Sequence, residues 1–157
     1  MHHELVNADF NLQELSKNNE KDDFSKLAYK NVLLVEDHPL NAQIARKLCE
    51  NKKMNVVYAK NGKVAVELFK SSPAGEFDII LMDIRMPEMS GLEATKAIRE
   101  MDRKDACLVP IIAMSANAYE EDIKKSILAG MNEHISKPVY PELLYKTMCK
   151  HIKDTKN

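Results

Sequence analysis

Five short strand-like segments, most of them apolar, alternate with five segments of helical periodicity, and that alternation is the strongest constraint on what this chain can become. The runs are Val32-Leu33-Leu34-Val35, Asn55 to Ala59, Phe77 to Met82, Val109 to Met114 and Glu133 to Ser136. Each is followed by apolar residues at helical spacing. Leu40, Ile44 and Leu48 mark the first helix. Val64, Ala65, Leu68 and Phe69 mark a second, stopped near Pro73. Leu92, Ala94, Thr95 and Ile98 mark a third. Ile123, Ile127 and Leu128 mark a fourth, with Gly130 as its C-cap, and Leu143, Leu144, Thr147, Met148 and Ile152 a last. Five strand–helix units in series predict a doubly wound α/β fold, a five-stranded parallel sheet with helices on both faces. The runs Val32–Val35, Ile79–Met82 and Ile111–Met114 lack polar alternation, as strands covered on both faces should.

The chain has 157 residues, enough for one domain with a sizeable core. Residues 1–29 read as an N-terminal linker or tail, partly disordered and holding at most one short helix. Their centre, Asn18 to Asp23, is polar, and their apolar residues keep no period. Residues 30–153 form the domain, and 154–157 a C-terminal tail. The formal net charge of −1 gives no electrostatic case for nucleic acid or an anionic membrane as partner. The three cysteines, Cys49, Cys107 and Cys149, have no CxxC spacing and are odd in number, which fits a reducing compartment better than a disulfide framework or a zinc site. No apolar run approaches a membrane span, and Met1-His2-His3-Glu4 does not begin a secretory signal, so the expected location is cytoplasmic.

Parallel α/β sheets build their sites beyond the carboxyl ends of the strands. Here polar residues gather at those ends: Glu36-Asp37 after the first run, Asp83 after the third, Ser115 after the fourth, and Lys137-Pro138 after the fifth. Three carboxylates converging on one rim repel one another. A pair about 4 Å apart costs on the order of 4 kcal/mol at an effective dielectric near 20. A divalent cation removes that cost, and an oxygen-only set with room for water suits Mg²⁺. A carboxylate beside a metal, a lysine and a hydroxyl can attack phosphorus and carry it as an aspartyl-phosphate. Lys137 would pair with one phosphoryl oxygen and Ser115 would donate a hydrogen bond to another.

The segments bearing these residues resemble the receiver domains of two-component signalling. Val32 to Asn41 resembles the family's first strand and acidic pair, Leu81 to Glu93 its phosphoacceptor motif, and Pro110 to Ala118 and Gly130 to Pro138 its switch and lysine motifs. The similarity runs from about Asn31 to Ile152, and the wording around Pro39-Leu40-Asn41 and Met89 to Leu92 is most like receivers attached to hybrid histidine kinases. The resemblance implies the flavodoxin-like strand order 2-1-3-4-5. It implies Asp83 as phosphoacceptor, with Asp37, Asp83 and the carbonyl of Arg85 on Mg²⁺ and Glu36 holding the ion through water. It further implies Ser115 and position 134 as switch residues, a cis Lys137–Pro138 bond, and positions Arg85 and Asn117 as tuners of phosphoryl lifetime. The implied partner is a histidine kinase or a histidine phosphotransfer domain, docking near residues 40–48 and the loop after Lys137. Two positions depart from the family pattern: Ser115, where threonine is commoner, and His134, where a tyrosine or phenylalanine is usual.

Other readings were weighed against this one. An aspartyl-phosphate phosphohydrolase on a similar sheet would carry an Asp-x-Asp motif after its first strand, and Asp37-His38-Pro39 does not match it. An inert pseudo-receiver would keep the fold without accepting phosphate. The mixed charges from Arg99 to Asp105 read as a solvated face, and the methionines at 82, 86, 89, 101 and 114 as packing.

Overall fold

A computed structural model describes residues 23–116 and 119–153. Residues 1–22, Asn117 and Ala118, and the tail 154–157 lie outside the described residues, so the lifetime-tuning role expected of Asn117 has no structural account here. Five strands, β1 (Asn31–Val35), β2 (Asn55–Ala59), β3 (Ile79–Asp83), β4 (Ile111–Ser115) and β5 (Glu133–Ser136), form one sheet in the order β2-β1-β3-β4-β5. Every pairing is parallel. The helices are α1 (Pro39–Asn51), α2 (Gly62–Ser71), α3 (Gly91–Arg99), α4 (Lys104–Leu108), α5 (Glu120–Ala129) and α6 (Pro141–His151). This is the doubly wound, flavodoxin-like topology expected from the sequence. The third and fourth strands start two residues later than their apolar runs. Pro110 has no N–H to add to a ladder, and Phe77 leaves the strand line to stack on Phe69, with ring centroids 6.2 Å apart.

The pleat divides the core in two. Leu33, Val35, Ile80, Met82, Ile111 and Ala113 face α2, α3 and α4, meeting Ala65, Phe69, Ala94, Ile98 and Ala106. Val32, Leu34, Ile79, Leu81, Ile112 and Met114 face the other way, meeting Ala45 and Cys49 of α1 and Leu144 and Met148 of α6. β3 and β4 are buried along their whole length, which is why their runs are unbroken.

Two helices turn a different face to the sheet from the one their leucines and isoleucines mark. On α1 the buried residues are Ala42, Ala45 and Cys49, while Leu40 and Ile44 are more than half exposed. On α5 they are Ser126 and Ala129, while Ile127 and Leu128 point outward. Small side chains let these helices lie close to the sheet, and the large apolar ones are left outside.

The stretch from Arg99 to Asp105 is a solvated face only in part: Glu100, Asp102 and Lys104 are exposed, but Arg99, Arg103 and Asp105 are structural. The Arg103 guanidinium donates to the carbonyls of Phe69, Ser72 and Pro73 and grips Asp105 through two nitrogens, closing the end of α2. Arg99 donates to the carbonyls of Gly130 and Ala106 and to Asn132, tying α3 to α4 and the start of β5. The short helix α4 was not evident in the sequence; its five residues hold too little periodicity to register.

The packed body also reaches back into the segment assigned to the tail. A 3₁₀ turn, Ser25–Leu27, buries Leu27 completely in the α1–α6 layer. Phe24 meets the Tyr145 ring at 5.4 Å, with the Lys52 ammonium over both rings, and Lys26 donates to the Cys149 carbonyl. The apolar content of this turn is too small to show a period, so its role is visible only once α1 and α6 are in place.

The entry to α3 admits no side chain at Gly91. A Cβ there would stand 2.2 Å from the Asp83 carbonyl oxygen and 2.9 Å from the Ile84 Cα. The approach is close because Gly91 N–H donates to the Ile84 carbonyl, and Ser90 and Glu93 close a capping box on the same turn. Gly91→Ala should therefore lower stability by about 2–4 kcal/mol, since main chain and not a flexible side chain must move. Urea denaturation of the two proteins measures it; a loss below about 0.5 kcal/mol would show that the turn relaxes freely.

Candidate functional site

The parallel register carries the polar residues to one rim. Val35 and Met82 are paired, so Glu36 and Asp83 leave neighbouring strands side by side. Asp83 and Met114 are paired, which places Ser115 at the end of the next strand. Lys137 follows β5, its N–H donating to the Ser115 carbonyl, and precedes a cis bond to Pro138. The hydroxyl of Tyr58 donates to the Glu36 carbonyl and steadies the end of β1.

Glu36 and Asp83 are almost fully buried, at 1% and 4% exposure, and Asp37 is the more open of the three. One oxygen from each lies within 4.8 Å of the others. Lys137 enters between them, its Nζ 3.0 and 3.3 Å from the Glu36 oxygens and 3.2 Å from Asp83 Oδ1. Burial pushes the Asp83 carboxyl up to about 6, helped by its contact with Glu36 and opposed by Lys137. Burial works to lower the Lys137 pKa, but its hydrogen bond to Glu36 and the charges of Asp83 and Glu36 outweigh that and hold it above the usual lysine value.

This donor set fits a small hard dication. It offers three carboxylates on a common centre, one of them reluctant to ionise for want of more positive charge than Lys137 supplies. Arg85, whose carbonyl the resemblance implies as a further ligand, is exposed two residues beyond Asp83.

His134 and Ser115 are joined directly. Ser115 Oγ is 2.8 Å from His134 Nε2, and Ser126 Oγ of α5 is 3.3 Å from His134 Nδ1. Ser126 has no sequence signal: it is a serine within a helix, and only the packing of α5 on β5 brings it to His134.

The response regulator receiver domain family matches residues 32–148, three-quarters of the chain. The chain is a response regulator receiver domain. It is 35% identical over 139 residues to hybrid signal transduction histidine kinase I of Dictyostelium discoideum, covering 85% of this chain but 8% of that protein. The receiver thus spans a small part of the curated relative it matches. Among solved structures it is similar to the receiver domain of a sensor histidine kinase from Pseudomonas aeruginosa PAO1, which has a magnesium ion coordinated in its active-site cleft. That similarity has a TM-score of 0.71 at 32% identity, over 79% of this chain and 98% of that one. It is also similar to a Saccharomyces cerevisiae response-regulator receiver, solved in complex with its histidine phosphotransfer signaling protein. There the TM-score is 0.69 at 31% identity, over 79% of this chain and 89% of that one. The receiver is a domain of two-component and phosphorelay signalling, of the kind found in hybrid histidine kinases.

The electrostatics of the rim make the metal-free receiver sensitive to pH. A carboxyl whose folded-state pKa lies above its unfolded value of about 4 favours folding at low pH and loses that contribution as pH rises through about 6. In EDTA, the wild-type receiver should lose roughly 1–3 kcal/mol between about pH 4 and pH 7 relative to Asp83→Asn. Denaturation curves across that range read this directly; parallel pH profiles for the two proteins would mean that Asp83 ionises without hindrance.

Proposed function

We propose that the receiver takes a phosphoryl group from a phosphohistidine onto Asp83. An Asp83 carboxylate oxygen attacks phosphorus, the bond from phosphorus to the donor imidazole breaks, and the electron pair leaves with the imidazole nitrogen. The observation that supports this most is the placement of Asp83 Oδ1 beside the Lys137 ammonium, within reach of two further carboxylates. Lys137, now bonded to Asp83 and Glu36, would pair with a phosphoryl oxygen as that charge arrives, and Ser115 would donate to another. Glu36, Asp37, Asp83 and the Arg85 carbonyl would hold Mg²⁺, which when bound offsets the negative charge that phosphorus brings. Arg85 and Asn117 would tune how long the phosphoryl group survives. Release by water would be slow, and the protein acts as a signalling switch in the cytoplasm, not as an enzyme turning over a substrate.

The outward stripe of α1 supports a docking site for the donor. Leu40 and Ile44 are exposed where a helix on a sheet would ordinarily bury them. Ile44 also lines a cleft of about 120 Å³ with Glu36, Asn41, Lys137, Pro138 and Val139, so this apolar surface runs up to the phosphoacceptor rim. A histidine phosphotransfer domain or a kinase's phosphohistidine domain would seat there.

Two experiments test these proposals. Intact mass after acetyl phosphate and Mg²⁺ should show an addition of about 80 Da that needs the metal and is absent in Asp83→Asn. An adduct on the variant as well would move the phosphoacceptor elsewhere. No adduct on folded wild type, from acetyl phosphate or from a phosphohistidine donor, would make it an inert pseudo-receiver. Ile44→Asp should slow transfer from a phosphotransfer protein by about tenfold or more. Labelling of the variant by acetyl phosphate should stay within about twofold, because Ile44 is an exposed apolar side chain of α1 and not one of the charged groups of the rim; equal loss with both donors would place docking elsewhere.

A further inference from the structure

Ser126 lies in the middle of α5 and is buried, at 1% exposure. Its hydroxyl oxygen is 2.9 Å from the Ile123 carbonyl and 3.1 Å from the Asp122 carbonyl. Carbonyls only accept, so the one hydroxyl hydrogen of Ser126 is directed back along its own helix. Toward His134 Nδ1, 3.3 Å away, Ser126 therefore presents a lone pair, and the ring hydrogen belongs on Nδ1. A neutral imidazole has one such hydrogen. Nε2 is then an acceptor, 2.8 Å from Ser115 Oγ, and the Ser115 hydroxyl donates to it.

We infer that Ser126 and His134 are a pair of positioning residues that commit the hydroxyl hydrogen of Ser115 to His134 Nε2 and so withhold it from a phosphoryl group on Asp83. The inference rests on Asp83 being the phosphoacceptor and adds how the hydroxyl at the end of the neighbouring strand is controlled. To donate to a phosphoryl oxygen, Ser115 must give up Nε2. The imidazole and the phosphoryl group compete for one hydrogen, and Ser126 decides the competition by fixing the tautomer. Without the Ser126 oxygen the ring can carry its hydrogen on Nε2 and donate to Ser115, whose own hydrogen then turns to the phosphoryl group. A phenylalanine at position 134 would offer no acceptor to Ser115. A hydrogen bond of ordinary strength shifts such an equilibrium by about three- to tenfold.

The first test needs no phosphorylation. Imidazole nitrogen NMR on the wild-type protein near neutral pH, with the ring of His134 assigned through its carbon correlations, should show the Nδ1–H tautomer. An Nε2–H tautomer or an imidazolium would overturn the inference, whatever Asp83 does. The second test is a double-mutant cycle, following labelling by acetyl phosphate with Mg²⁺ and the later loss of the phosphoryl group. Ser126→Ala should change one of these rates about three- to tenfold in the wild-type background, and less than about twofold in a His134→Phe background. The same change in both backgrounds would mean that Ser126 acts only through packing. If no variant and no wild-type protein is labelled, the phosphoacceptor reading fails, and the tautomer alone decides the pair; it does so even if His134→Phe does not fold.

Discussion

Two carboxylates are buried side by side at the carboxyl ends of β1 and β3, and the lysine that follows β5 reaches across to both. Burial there raises the pKa of Asp83, and Lys137 holds Glu36 and Asp83 at 3.0 and 3.2 Å. Lys137 can arrive from 101 residues along the chain only because β5 is the far edge of the same parallel sheet and the loop after it folds back over the rim. The ion cluster thus depends on the register of four strands. Hydrophobic burial makes that register, because a one-residue slip would exchange the two core layers.

The site is strained in charge and rigid in backbone. Asp83 ends a strand buried along its full length, and its carbonyl lies so close to the Gly91 turn that a Cβ there would not fit. Asp83 is thereby held beside Glu36, and Lys137 is the cation that faces both. In the proposed reaction a bound cation would meet the charge of these carboxylates, and an arriving phosphoryl group would add to that charge and draw on Lys137 and Ser115. The hydroxyl of Ser115 is already engaged on its other side by His134, which rests on α5 through Ser126. Chemistry at the rim is in that way connected to a helix whose outer face shows Ile127 and Leu128.

Much of this was legible in the sequence, for identifiable reasons. Strands covered on both faces leave unbroken apolar runs, so β1, β3 and β4 were plain. The acidic and basic residues directly after those runs were placed on one rim by the rule that parallel strands point the same way. Helix faces were less legible. Leu40, Ile44, Ile127 and Leu128 have the spacing of a buried stripe, and the structure buries Ala42, Ala45, Ser126 and Ala129 instead. Periodicity shows that an apolar face exists; which face meets the sheet depends on how close the helix must lie. Arg99 and Arg103 were misread for a related reason, since their partners are main-chain carbonyls, which a sequence does not display.

The sequence by itself determined the order of elements, the sheet type and the identity of Glu36, Asp37, Asp83, Ser115 and Lys137 as a convergent set, because strand direction and strand ends are local properties. Only the tertiary structure decided which groups touch. It placed Lys137 between two particular carboxylates, brought Leu27 into the core from the presumed tail, and set Ser126 against His134 and His134 against Ser115. Those contacts join residues from separate elements, and their distances follow from how the helices pack on the sheet, a sum over the whole core that no single stretch of chain contains.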